Sequence, residues 1–162
     1  MTRTLVLTQH ALRARDVQRI VQLHAGSDEA RPGTRYLVLV PVGSESAVIE
    51  AINHLSLGDL REAWQSISGS DEHSDRARAA AALRESMELF AQTGAATSGA
   101  LTPADPMDHV HRVVAAGEVS QLIVVTEPQA VQDILNQDWA SRAERTLDLP
   151  VLHFYSGTDH VG

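Results

Sequence analysis

The sequence predicts an α/β domain built on a doubly wound parallel sheet. Four short runs rich in β-branched and aliphatic residues are too short for helices, and their continuous apolar character is typical of strands buried on both faces. Segments with helical spacing of apolar residues separate them. Strands that alternate strictly with helices indicate right-handed β–α–β crossovers, and therefore a parallel sheet with helices on both sides. The four runs are Leu5–Leu7, Tyr36–Val40, Leu122–Val125 and Val151–Tyr155.

Length and composition describe one globular domain. The chain has 162 residues, and we assign residues 1–162 to a single domain. Hydrophobic residues make up 43% and charged residues 21%, which excludes a disordered or fibrous protein. The 13 basic residues are all Arg and stand against 21 acidic residues, which gives a net charge of −8. That balance argues against nucleic-acid partners, because they need clustered positive charge.

Missing residue types and missing segments restrict the function further. Without Lys the chain can form neither a Schiff base nor a P-loop, and without Cys it has no thiol nucleophile or thiolate metal site. No stretch approaches the roughly 18 apolar residues of a membrane span. The N-terminus has neither a long apolar core nor a small-residue cleavage site. We therefore expect no signal peptide, no membrane partner and a cytoplasmic location.

The first two helices are predicted from apolar spacing and from end signals. A helix is expected between the first two strands, with inner positions Val17, Ile20, Val21 and His24. A second helix is expected from a cap at Ser74 to Phe90, with Gly94 as its stop. Residues 41–73 are predicted to be irregular, with two short amphipathic segments and a loop over residues 68–74.

The remaining elements complete the alternation. Ala95–Leu101 is predicted to be a strand, because the chain must return to the sheet there. Asp105 and Pro106 supply a cap and a first-turn proline for a helix that Gly117 ends. The last helix is predicted over Ala130–Leu147, where apolar residues lie four apart. The predicted sheet therefore has five strands.

From Gly94 onward the order of elements resembles the C-terminal half of a universal stress protein. The matching stretches are Ala104–Pro106, Leu122–Val125 and Leu149–Leu152. The N-terminal half matches in element order only. The resemblance implies the family's Rossmann-type fold, with five parallel strands in the order 3-2-1-4-5. Residues 36–46 also resemble the family's opening strand, but that alignment would leave too few strands, so Thr4–Thr8 is kept as the first strand.

The glycine-rich ATP-binding loop of the family has no counterpart in this sequence. In nucleotide-binding members this loop follows the fourth strand and carries glycines that let backbone N–H groups approach the phosphates. This chain has no glycine between Gly117 and Gly157. Glu127 and Asp138 would put negative charge beside a triphosphate, and Pro128 removes a donor. We predict no family-type ATP binding and no cofactor, whereas adenosine without phosphates stays open.

Any ligand is expected at the carboxyl ends of the strands, where the strand order reverses. In the implied order, that crevice lies between the first and fourth strands. A His beside a Glu there could support acid–base chemistry if the two lay within hydrogen-bond reach. The alternative is that these are loop residues that cap helices, and we assign no catalytic residue. The expected lining residues are Gln9, His10, Pro41, Ser44, Thr126 and Glu127.

Other polar clusters have structural interpretations. His109 and His111 lie two apart on a helix and point in different directions, so they cannot chelate one ion together, and we predict no metal site. Trp139 and Arg142 share a helix face. They either form an interface or pack under the sheet with Arg142 paired to Asp138.

The closing strand would be an edge strand, and a long apolar edge associates unless it is covered. Universal stress proteins commonly dimerise through this strand, so the resemblance implies a homodimer with a non-catalytic, stress-linked or regulatory role. Two alternatives stay open: a binder of a nucleoside, nucleotide or other small ligand in the crevice, and, ranked last, a hydrolase or transferase of the wider adenine-nucleotide alpha-hydrolase fold. The implied interface residues are Val151, His153, Phe154 and Tyr155.

Overall fold

The computed structural model describes residues 3–25, 34–43, 60–127 and 133–158. Within these ranges the five strands form one all-parallel sheet in the order β3-β2-β1-β4-β5, which confirms the predicted fold class and strand order. The elements in chain order are β1 (Arg3–Thr8), α1 (Ala14–Ala25), β2 (Arg35–Pro41), α2 (Leu60–Gln92), β3 (Ala96–Thr102), α3 (Met107–Ala115), β4 (Val119–Thr126), α4 (Asp133–Thr146) and β5 (Val151–Tyr155).

Helices cover both faces of the sheet. Successive strand residues point to opposite faces, so each strand feeds two separate cores. On one face α1 and α2 bury Val17, Ile20 and Phe90 against the strands. On the other face α3 and α4 bury Val110 and Trp139. The continuous apolar runs in the sequence are therefore strands buried on both sides.

The helix α2 begins well before the predicted cap. It has 33 residues, which corresponds to a length of about 50 Å. The predicted loop over residues 68–74 was wrong, because Ser74 lies inside the helix. Gly, Ser and Asp have low helix propensity and suggested a loop, but propensity is a weak local preference. In the described ranges, no helix combines the length and the apolar character that a membrane crossing requires.

The predicted ends at Gly94 and Gly117 and the predicted cap at Asp105 agree with the structure. Gly94 and Gly117 follow α2 and α3 with φ of +76° and +83°, the left-handed conformation that favours glycine at a helix end. Asp105 Oδ1 accepts a hydrogen bond of 3.0 Å from Met107 N at the start of α3. The predicted third strand is β3. The segments that the sequence predicts before Leu60 and at residues 130–132 lie outside the described residues.

Contacts between α1 and the last turn hold β5 in place. Asp16 is 1% exposed and accepts hydrogen bonds from Ser156 Oγ (2.6 Å) and Gly157 N (2.8 Å). The Arg19 guanidinium lies 4.7 Å from the centre of the Phe154 ring. A carboxylate near the start of the first helix is thus satisfied by residues at the end of the last strand.

Candidate functional site

A cavity of about 280 Å³ lies at the carboxyl ends of β1 and β2, against α2. Gln9 and His10 follow β1, Pro41 ends β2, and Asp75 and Glu85 reach the cavity from the helix. The other lining residues are Ala11, Gly43, Arg78, Ala79, Ala81 and Ala82. The cavity therefore occupies the ligand side of an open α/β sheet, one strand away from the predicted crevice.

The wall contributed by α2 is a single helix face. Asp75, Arg78, Ala82 and Glu85 are spaced by three or four residues, so they lie above one another. Ala79 and Ala82 are 5% and 9% exposed and belong to the core. The alanine run lets the helix approach the sheet closely, and its small side chains leave the space between helix and strand ends open.

Two buried hydroxyl groups hold the loop after β1. Thr8 Oγ1 donates to His10 O (2.8 Å) and accepts from His10 N (3.4 Å). Ser86 Oγ accepts from Leu12 N (2.9 Å) and donates to Ala82 O (2.7 Å). Thr8 and Ser86 are 3% and 0% exposed. Because Ser86 belongs to α2, the loop that forms one wall of the cavity is fixed to the helix that forms the other.

The charged groups around the cavity leave an excess of negative charge. Two carboxylates, of Asp75 and Glu85, stand against one guanidinium, of Arg78. Arg78 lies 3.5 Å from Asp75, and its side chain is 77% exposed, so this ion pair is weak. Asp75 Oδ2 lies 3.7 Å from the position that a Cβ on Gly43 would occupy, and Gly43 has a φ of +86°. The carboxylates that line the cavity thus outnumber its guanidinium group by two to one.

The two residues predicted to line the crevice from β4 have other partners. Thr126 is 4% exposed, and its Oγ1 lies 2.7 Å from Nε2 of His153 on the neighbouring strand. A buried hydroxyl needs a partner, and this one has it on β5. Glu127 Oε1 lies 3.8 Å from a guanidinium nitrogen of Arg13. Neither side chain lines the cavity against α2.

Sequence reasoning located one wall of the cavity and missed the other. The structure brings together three of the predicted lining residues, Gln9, His10 and Pro41, whereas Ser44 lies outside the described residues. The missed groups are Asp75, Arg78 and Glu85. They lie inside the predicted helix, but the apolar spacing gave no reason to place this polar face over the strand ends.

The remaining predicted groups take structural positions. Trp139 is 6% exposed within the core, which favours packing over an interface. Arg142 lies 3.0 Å from Asp105, two residues before α3, and the Asp138 side chain is not among the described ones. His111 Nε2 lies 3.1 Å from Thr146 Oγ1. Across the described ranges, no group of three or more His, Asp or Glu side chains is arranged to hold a metal ion.

The closing strand lies at the edge of the sheet, as the sequence predicts. His153 and Phe154 are 8% and 4% exposed, so their side chains are used inside the subunit. Val151 and Tyr155 are half-buried. The homodimer stays a prediction, and its side-chain contacts would have to come from the two half-buried residues.

His10 is the histidine that lines the cavity. The exposed His10 side chain makes no hydrogen bond to an acid within the described part of the chain, so no acid–base pair is assembled there.

No protein-family model matches this chain, and no curated protein matches it. The relationship to universal stress proteins stays a prediction from the sequence motifs.

Proposed function

We propose that this protein is a cytoplasmic, universal-stress-protein-like binding protein with a non-catalytic, stress-linked or regulatory role, and that it takes a small phosphate-free ligand in the cavity against α2. The observation that carries the proposal is the cavity itself, whose walls are joined by Ser86. Its 280 Å³ lies near the lower end of the roughly 300–1,000 Å³ of drug-sized ligand sites, which suits a compact ligand.

The polar groups favour a neutral ligand with hydrogen-bond donors. The carboxylates of Asp75 and Glu85 accept hydrogen bonds from hydroxyl or amino groups and repel phosphate oxygens. Gln9 can both donate and accept. A nucleoside offers such donors without phosphate charge, so we propose a nucleoside as the ligand class and no family-type ATP binding.

Calorimetric titration and thermal unfolding with adenosine, AMP and ATP, with and without Mg²⁺, test this function. Adenosine is expected to bind most tightly, and a ligand at 100 times its Kd stabilises a fold by about 2.7 kcal/mol. Tighter binding of ATP than of adenosine would overturn the phosphate-free assignment. No response to any of the three would overturn the nucleoside assignment.

A pair of matched variants locates the binding site. Ala81 lines the cavity, so Ala81→Leu fills it and should abolish adenosine binding. Ala77 is exposed on the same helix and does not line the cavity, so Ala77→Leu should bind as the wild type does. Equal binding by both variants would place the ligand elsewhere.

We also propose that the protein forms a homodimer through β5. Pro150 O and Ser156 N are hydrogen-bonded to β4, so the alternation along a parallel strand directs the N–H groups of Val151, His153 and Tyr155 toward the open edge. A two-fold axis would pair this edge with its copy. Val151→Pro removes one outward donor from each copy, and light scattering should then show weaker dimerisation with an unchanged circular dichroism spectrum.

A further inference from the structure

The opposite edge of the sheet carries a second open surface. An apolar groove lies between α2 and β3, and the charged residues Arg84 and Glu88 also line it. Its apolar side chains are Ala80, Leu83, Met87 and Ala91 of the helix and Leu101 of the strand. We call this surface the β3 groove.

Among the described residues, no strand pairs with the outer edge of β3, which lies beside the groove. Thr102 O accepts a hydrogen bond of 2.8 Å from Val42 N, so the even-numbered residues of β3 pair with β2. The N–H groups of Thr97, Gly99 and Leu101 consequently face outward. Natural edge strands resist association with Pro, Lys or other charged residues, and β3, with the sequence ATSGALT, contains none of these.

The charged residues of the β3 groove are arranged so that two copies of the groove could pair opposite charges. Arg84 and Glu88 are exposed, lie four residues apart on α2 and make no ion pair with another described residue. A two-fold axis perpendicular to the helix reverses its direction. It would therefore bring Arg84 of each copy opposite Glu88 of the other, so that both charges are paired.

The strand edge and the helix agree on the position of this axis. Gly99 is the middle one of the three outward amides, and a Cβ on it would lie 2.5 Å from Leu83 Cδ1 and 2.7 Å from Met87 Sδ. An axis perpendicular to the sheet and just outside Gly99 therefore passes beside α2 at the level between Leu83 and Met87, close to the midpoint of Arg84 and Glu88. If the two copies of β3 pair, they lie about 4.8 Å apart. Because α2 lies over β2 and β3, half a strand spacing inside β3, the two copies of α2 would then lie about 10 Å apart, which is close to the distance of packed helices.

We propose that a second copy of this chain docks on the β3 groove. In this assembly β3 pairs antiparallel with its copy around Gly99, α2 packs against α2, and Arg84 of each copy meets Glu88 of the other. The surface is distinct from the β5 edge, and the proposal does not depend on the ligand in the cavity.

Charge reversal with rescue tests the proposal by analytical ultracentrifugation of the full chain. Arg84→Glu and Glu88→Arg should each weaken self-association about tenfold or more, because each puts like charges together twice across the axis. The double variant R84E/E88R exchanges the charges in both copies and should restore wild-type association. Both side chains are exposed, so we expect all three variants to fold, and a circular dichroism spectrum checks this.

The proposal is supported if the single variants change from dimer to monomer, or from a larger assembly to a dimer held by β5, and the double variant restores the wild-type assembly. Equal association of the wild type and both single variants overturns it, and so does a wild type that stays monomeric at high micromolar concentration. Loss of association in the single variants without rescue in the double variant also overturns the Arg84–Glu88 pairing.

Disulfide trapping checks the register, because the natural chain has no Cys. With the axis at Gly99, Ser98 of one copy lies opposite Ala100 of the other in a non-hydrogen-bonded pair, where Cα atoms are about 4.5 Å apart and a disulfide fits. Mild oxidation of S98C/A100C should give a covalent dimer much faster than Ser120→Cys, an exposed control on the interior strand β4. Equal rates overturn this register.

Discussion

Single residues in this fold serve more than one element, and Asp105 is the clearest case. Its Oδ1 accepts from Met107 N at the start of α3, and its Oδ2 lies 3.0 Å from Arg142 on α4. The backbone hydrogen bond from Met107 is the main cause that holds the pKa of Asp105 below its ordinary value. Burial acts against it, and the hydrogen bond and the charge of Arg142 each lower the pKa by a smaller amount. The ionised form is therefore the one that stabilises the fold.

Asp105→Ala should lower the free energy of unfolding by about 1 kcal/mol at neutral pH, because the first turn of α3 loses its side-chain acceptor. The pKa is depressed in the folded state, so this stabilisation is fully present above the unfolded pKa of about 4 and is lost as the pH falls through the folded pKa. Urea titrations at neutral and strongly acidic pH should show the gap closing at acidic pH. Asp108→Ala removes an exposed first-turn charge as a control, and a pH-independent gap for Asp105→Ala would contradict the expectation.

At the scale of elements, α2 connects the features that concern function. One face lines the cavity, a neighbouring face lines the β3 groove, and Ser86 holds the loop after β1. The sequence predicted that a helix would lie here, because the apolar spacing around Phe90 is regular. It did not predict the start at Leu60, because residues 68–74 have low helix propensity. The cavity wall at Asp75 lies inside the predicted helix and was missed for another reason: apolar spacing does not show which polar residues of a helix lie over the strand ends.

Ser86→Ala should destabilise the protein by about 1–3 kcal/mol, because the buried Leu12 N loses its acceptor. The same change should weaken adenosine binding, since the loop with Gln9 and His10 is no longer fixed to the helix. Thermal unfolding and titration of the variant check both effects. Ser141→Ala makes the same chemical change at an exposed position of α4 and should alter neither quantity.

The positions of the strands were easier to predict from the sequence than the directions of the polar side chains at their ends. Four strands were predictable from continuous apolar runs, such as Leu122–Val125, because strands covered on both faces leave such runs. The fifth, β3, has no apolar run and was predictable only because the chain must return to the sheet between two helices. The direction of a polar side chain at a strand end was not predictable, because it depends on which neighbour offers a partner. Thr126 shows this: its position predicted a ligand contact, but its hydroxyl lies against His153 on β5. Gln9 and His10 were predictable because a loop after a central strand always reaches the carboxyl edge.

At the scale of the whole molecule, Asp16 connects residues 140 positions apart in the chain. It is buried and accepts hydrogen bonds from Arg13 N (3.0 Å), Ser156 Oγ and Gly157 N. These bonds fasten the end of β5, which has only one neighbouring strand, to α1. The integrity of one sheet edge therefore depends on a residue of the first helix.

Asp16→Ala should cost at least about 2 kcal/mol of stability, since three donors lose a charged acceptor. Hydrogen exchange should increase most in β5, because the strand end is released before the rest of the sheet opens. Asp148→Ala, at an exposed position just before the same strand, is the control. Uniform loss of protection throughout the sheet would contradict a local role for Asp16.

The strand order also determines how the chain can fold during synthesis. β1 is the first of the five strands to leave the ribosome and becomes the middle of the sheet, and β2 can pair with one side of it early. The other side of β1 can pair only after β4 (Val119–Thr126) has been synthesised. The hydrogen bonds of Asp16 to Ser156 and Gly157 form later still. We therefore expect a nascent chain that has just completed β3 to expose the apolar edge of β1, and we expect this stage of translation to be prone to aggregation.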